Sequence, residues 1–280
     1  MHLFAALTVL SQVELALEEA KAEYTKYYID LKDKPVWFTS IVNPVGKVSV
    51  SSLCTHTPSL AQPPDKVPAL AYGGPHVPPD QPSPEATMLA ESLVLNEFIA
   101  DLFPQSSLLP SDPVLRARAR LFIDQFNKLS DNFWGVYARG EIDGLLPSII
   151  KLQEVLPAEG KGPYAVGDAY TVADIAISPR IGMLLFALEN DLGAFAEGEG
   201  RKTFDTIQTD AQYASFKRYT DAIRNRESFK KVVNLVCVTV FGSILSRSDW
   251  QGVTGGLQGV VYPGTYSSSR WEGTHLIVAR

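Results

Sequence analysis

A change of hydrophobic period divides the chain at "PQSSLLPSDP". Ahead of it, short alternating runs read as strands; beyond it, apolar residues recur three and four apart, the spacing of one helix face. An α/β unit followed by an all-α unit is the arrangement such a change dictates, because sheet faces and helix stripes bury themselves against different partners. With 280 residues, 45% hydrophobic and 20% charged, the chain has material for two domains of ordinary size.

The first unit opens with a helix over Val13 to Glu23, where Val13, Ala16, Leu17 and Ala20 share one stripe with glutamates opposite. "YTKYYIDL" then alternates as a strand and "KDKP" turns the chain, which implies a β-α-β start, although "LFAALTVL" ahead of the helix fits neither a long strand nor a well-capped helix. "KPVWFTSIVNPVGK" reads as a short helix or turn, "KVPALAYGG" as a strand interrupted at Pro68, "ATMLAE" as another strand and "SLVLNEFIADLF" as a helix. After the break come "VLRARARLFIDQFNKLSDNFWGVYAR", a long helix or helix pair, and helices in "GLLPSIIKLQEVLP", "TVADIAISPRIGMLLFALEND" and "YASFKRYTDAIRN". The expected boundaries are an α/β unit over 1–103, a linker over 104–112 and a helical unit over 113–231. Two segments stand outside the pattern: an insert over 48–66 and a tail over 232–280.

A net charge of -6 leaves no broad basic surface for a phosphate backbone, and "RARAR" at Arg116 to Arg120 points round several helix faces; nucleic acid is excluded as a partner. Cys54 and Cys237 make no disulfide framework, which fits a reducing, cytoplasmic setting. "LFAALTVL" is eight residues with no basic segment before it and no small-residue cleavage site, so it is not read as a secretory signal. The apolar stretch "VVNLVCVTVFGSIL", at 14 residues, is too short for a membrane span. His2, His56, His76 and His275 lack metal-ligand spacing, and no metal is expected.

Taken in order, "ELALEEAKAEYTKYYIDLKDKPVWF", "KVPAL", "LAESLVLNEFIADLFP" and "GPYAVGDAYTVADIAISP" resemble the glutathione transferases, in particular fungal omega-like members. The resemblance runs from Val13 to Lys231 with one interruption. It implies a thioredoxin-like N-terminal domain that holds glutathione and an all-α C-terminal domain lining a pocket for a small hydrophobic electrophile. The implied chemistry is glutathione conjugation, or glutathione-dependent thiol transfer and deglutathionylation, in a detoxifying homodimer.

Glutathione is an extended peptide with two carboxylates and an ammonium, so its site needs a backbone edge, anion donors and one acidic group. The resemblance assigns them. A cis peptide at Val67-Pro68 would free the Val67 N–H and C=O for the cysteinyl unit, with Lys66 at the same edge. Ser92 would offer its hydroxyl and N–H to the γ-glutamyl carboxylate at a positive helix end, Glu91 would take the ammonium, and Lys34 would meet the glycyl carboxylate. Read without the family, Pro68 is an edge-strand proline, Ser92 an N-cap and Glu91 a first-turn acid. Phe122, Phe126, Phe133, Trp134, Met183 and Phe186 line either the second-substrate pocket or simply the core. Thr171-Val172-Ala173-Asp174 reads as a capping box, with Asp174 reaching back to the Thr171 N–H.

Three departures from the family remain. The strand and Cys-Pro or Ser-Pro motif that activates a thiol are absent: Leu7 or Thr8 falls at that position, neither followed by proline. Ser11 is the one hydroxyl candidate near the expected helix start, as cap or nucleophile, and without a nucleophile the chain reads alternatively as a non-catalytic binder of glutathione or hydrophobic ligands. Val48 to Lys66 breaks the connection into "VPAL", and the tail turns glycine- and serine-rich. Retained intron sequence would account for all three, and the Val48-Ser49 codons can be written as a splice donor. On that reading the sheet lacks its central strand and leaves two edges open.

Overall fold

The computed structural model describes residues 2–30, 35–38, 40, 68–75, 77–78, 80–81, 83–233 and 273–279. The first helix, α1 (His2–Ala20), starts far ahead of the expected Val13. "LFAALTVL", which by its pattern fits neither a long strand nor a well-capped helix, is therefore the first part of this helix. The stripe reading missed this because α1 is buried on several faces: Leu10, Ser11, Gln12, Val13, Leu15, Ala16 and Leu17 are all inaccessible, packed among other helices and a strand. A helix enclosed on many sides loses the polar face that makes its period visible. Its end is sharp, with Lys21 in the left-handed region (φ 54°) and the Ala22 N–H returning to the Leu17 carbonyl at 2.9 Å.

Strand β1 (Tyr24–Asp30) follows as expected and is tied back to α1 by the Tyr24 hydroxyl on Glu18 at 2.6 Å and by a Lys26–Glu14 ion pair. Strands β2 (Ala69–Tyr72) and β3 (Thr87–Ala90) form an antiparallel pair from Ala69↔Ala90 to Tyr72↔Thr87. The tail departs from expectation. Its residues Gly273–Ala279 form β4, which pairs antiparallel with all of β1, from Tyr24↔Ala279 to Asp30↔Gly273, and also lies beside β2 and against α1. The insert over 48–66 falls outside the described residues.

The helical part begins with α2 (Ser92–Leu102). "VLRARAR…VYAR" is a single helix, α3 (Pro113–Arg139), started by the Asp112 carboxylate accepting from the Val114 and Leu115 N–H groups at 2.6 and 3.2 Å and stopped by Gly140 at φ 77°. Next come α4 (Leu145–Gln153), α5 (Val172–Glu189), α6 (Glu199–Thr209) and α7 (Ala214–Arg224), and then helical residues 227–233. The sequence did not announce α6, which buries only Gly200, Thr203, Phe204 and Ile207, too sparse an apolar set to register as a stripe.

Helix α5 is the hub, buried along nearly its whole length and packed on α1, α2, α3, α6 and α7. Pro179 removes one N–H from its ladder. Close to that gap, Gln12 Nε2 of α1 donates to the Ala176 carbonyl at 2.8 Å, so the first helix fastens where the hub is interrupted. Among the described residues no helix is long and apolar enough to cross a membrane.

Candidate functional site

The β2–β3 register brings the residue before β2 and the residue after β3 to the same end of the pair. These residues are Pro68, which is buried, and Glu91. Glu91 carries φ 74° and ψ 112°, a conformation that costs a residue with a Cβ about 1 to 3 kcal/mol. Its main chain is held by the Leu95 N–H on the Glu91 carbonyl at 2.9 Å, the first hydrogen bond of α2. Its side chain makes no capping bond, and it is exposed without a partner among the described residues.

Glu91 is thus the N-cap position and Ser92 the first helical residue, which overturns the reading of Ser92 as a cap. A helix start with no side-chain cap leaves its first N–H groups aimed outward under the positive end of the helix dipole. The Ser92 hydroxyl, half-buried, points to no acceptor among the described residues. An acidic side chain, a hydroxyl and free backbone donors therefore meet beside a buried proline at the end of a strand pair. That set suits a zwitterionic, carboxylate-bearing ligand. Lys34, Lys66 and Val67, and with them the expected cis peptide, lie outside the described residues.

Ser11 does not sit near a helix start. With α1 reaching back to His2 it lies inside the helix at 1% exposure, and Thr8 is likewise buried. Of the aromatic residues proposed for a second-substrate pocket, Phe122 and Phe126 are fully buried, with Phe122 packed edge-on to Tyr219 at 5.7 Å and Phe126 against Phe133 at 5.1 Å. Phe133 and Met183 are equally enclosed. Trp134 and Phe186 are partly buried at the margin of the core. A cavity of about 260 Å³ opens elsewhere, between α2, α3 and the start of α5, lined by Leu93, Asn96, Ile123 and Val172 with the Glu97–Arg120 ion pair at 2.8 Å. The Arg120 hydrogen bonds hold the Glu97 carboxyl below the usual range.

The capping box is present as expected. Asp174 accepts from the Thr171 N–H at 2.8 Å, while the Thr171 hydroxyl accepts from the Ala173 N–H. The other Asp174 oxygen accepts from the Ala165 N–H at 2.8 Å, which pins the "GPYAVGD" loop to α5. In that loop Gly162 sits at φ 99° with no room for a Cβ, which would meet the Gly167 carbonyl carbon at 2.1 Å. Burial pushes the Asp174 carboxyl up to about 6 against the pull of these donors. The sequence did not single out Arg226, which joins the two units. It donates to both Glu19 oxygens at 2.7 and 2.5 Å and to the Tyr164 hydroxyl at 2.9 Å, and lies 4.2 Å from the Tyr170 ring centre.

No family model matches the chain. Among solved structures it is similar to glutathione transferase Omega 1C from Trametes versicolor, at 40% identity and TM-score 0.68 over 86% of this chain and 94% of that one. It is also similar to glutathione transferase Omega 2S from the same fungus, in complex with 2,4-dihydroxybenzophenone, at 36% identity and TM-score 0.67 over 83% of this chain and 94% of that one. A probable maleylacetoacetate isomerase of Caenorhabditis elegans is 30% identical over 35% of this chain, which spans about half (51%) of that protein. The expected thioredoxin-like and helical units are those of the glutathione transferase fold, and with identity of this order over nearly the whole of a solved relative, the chain belongs to the glutathione transferase family.

Proposed function

We propose that the β3–α2 junction binds glutathione and that the chain uses it in omega-like chemistry, conjugating it to a small hydrophobic electrophile or exchanging it in thiol transfer and deglutathionylation. The observation that carries this is Glu91. A strained, exposed acid between a strand and an uncapped helix serves no stabilising purpose, and such strain collects at ligand sites. In this reading the Glu91 carboxylate takes the γ-glutamyl ammonium, and the Ser92 hydroxyl and N–H take the neighbouring carboxylate. The strand edge at Val67-Pro68, with Lys66 beside it, would pair with the cysteinyl unit, and Lys34 would meet the glycyl carboxylate. The thiolate of glutathione would then attack the electrophile, forming the carbon–sulfur bond as the leaving group departs.

Trp134 and Phe186, at the core margin, are the aromatic residues best placed to face the second substrate, in keeping with a benzophenone-bound relative. Phe122 and Phe126 would support that wall from within the core. Exposed Leu93 and Val94 on α2 and Leu121 on α3 favour a second copy of this chain as partner. Ser11, enclosed in α1, is not assigned the nucleophile-activating role.

Calorimetric titration of glutathione into wild type, Glu91→Ala and Ser92→Ala tests the reading. Loss of a charge-assisted contact is expected to weaken Glu91→Ala by roughly 10- to 150-fold, equivalent to about 1.5 to 3 kcal/mol. Equal affinities in wild type and Glu91→Ala would remove the ammonium assignment.

A further inference from the structure

We infer that the end of the chain supplies the central strand of the glutathione-domain sheet, with β4 standing between β1 and β2. All seven residues of β1 pair with β4, and β2, paired with β3, lies close beside β4 without a ladder to it; no ladder joins β1 to β2 among the described residues. Helix α1 packs on β4, as it would on the middle of a sheet.

The composition of β4 suits the place. Leu276, Ile277, Val278 and Ala279 are four apolar residues in a row with no charge, the pattern of a strand covered on both faces. An outer strand would instead carry lysine or proline to blunt its free edge. Direction separates this arrangement from the family's usual one. A strand delivered ahead of α1 through a β-α-β crossover would run parallel to β1, whereas β4 runs antiparallel. With β4 in place, the β1 edge is closed along its whole length, and β2, which follows Pro68, has a strand lying beside it.

Cross-linking in the full chain reads the register directly. With Cys54 and Cys237 replaced by serine, Tyr27→Cys with Leu276→Cys places the thiols at a paired position, and Tyr27→Cys with Ala279→Cys places them well out of register. Near-complete oxidation of the first pair and little of the second is expected. Failure of the first pair, or equal linking of both, would overturn the inference. In a chain ending at residue 272, hydrogen exchange of the β1 amides should accelerate at least tenfold, and a peptide of residues 272–280 should restore protection. Unchanged β1 protection in the shortened chain would also overturn it. The expected parallel loss and recovery of glutathione affinity rests on the proposed function. Protection that responds to the peptide while glutathione binds neither form would sink that reading and leave β4 where it is.

Discussion

The helical domain and the sheet bury their surfaces by contacts of opposite range. In the helical domain the decisive signals are local: Asp112 caps α3 within three residues, Thr171 and Asp174 box the start of α5, and successive helices α3 and α4 pack on each other. In the sheet the decisive partner of β1 comes from the other end of the chain. The helix starts are therefore specified by short windows, whereas β1 finds its partner only across the length of the chain. Among the joints that fasten the two domains, besides Gln12 of α1 on the Ala176 carbonyl of α5, is Arg226 on Glu19 of α1.

That joint is where the comparison breaks most visibly. Arg226→Ala leaves the largely buried Glu19 carboxylate without its bidentate partner, a change of about 3 kcal/mol. The urea midpoint should fall accordingly, and β1 amides should exchange faster while those of α5 hold. Arg226→Lys should recover only part of the loss, because an ammonium cannot reproduce the fork to Glu19 or the stacking on Tyr170. Equal stability of Arg226→Ala and wild type would mean that this ion pair adds nothing to the hold between the domains.

Within the helical domain the capping box should respond next most strongly. Three donors converge on Asp174, two N–H groups and the Thr171 hydroxyl, so Asp174→Asn must turn its amide NH₂ toward a donor and should cost about 1 to 3 kcal/mol at pH 7. The pH dependence has a definite sign. Burial raises the folded-state carboxyl to about 6 from its ordinary 3.8, so the folded chain binds the proton more tightly than the unfolded one. The penalty for charging this group is then present in full above pH 6, and is relieved as pH falls from about 6 toward 3.8. Asp174→Asn should erase that component, seen as the difference in pH slope between variant and wild type in chemical denaturation. Identical slopes would place the Asp174 pKa at its ordinary value.

What could be read from the sequence follows the same division. β1, β2, β3, α2, α4, α5 and α7 fall where period and turn residues place them, and the box at Thr171 was legible from four consecutive letters. The start of α1 was not, because the stretch from Leu3 to Gln12, unlike the turn that carries Glu14, Glu18 and Glu19, has no charged residue to mark a polar face. α6 hid for the opposite reason, offering too few apolar residues. At the site, the proposal of Glu91 and Ser92 as ligand residues came from family likeness and from their place between strand and helix, but the strain at Glu91 has no sequence signature, since glutamate does not signal a positive φ as glycine does. Ser11 was misplaced through the same error as the start of α1. Arg226 was invisible because its partner Glu19 lies in the other domain.

The smallest effect sharpens the contrast most, because it separates what position 91 does for the fold from what it does for the ligand. Glycine adopts φ 74° without the Cβ clash, so Glu91→Gly releases part of the local strain and gives some of it back as chain entropy in the unfolded state. The net expectation is a gain of about 1 kcal/mol, a rise in midpoint of roughly 2 to 4 °C for a chain of this size. Glu91→Ala keeps the Cβ and hence the strain, so its midpoint should stay near wild type. Both should bind glutathione equally poorly, since each lacks the carboxylate. Stability and affinity then move independently along the series, as expected of a residue that the fold tolerates and the ligand requires. A midpoint for Glu91→Gly below that of Glu91→Ala would show that the backbone here is comfortable with a side chain, and would remove the strain on which the functional reading of the junction rests.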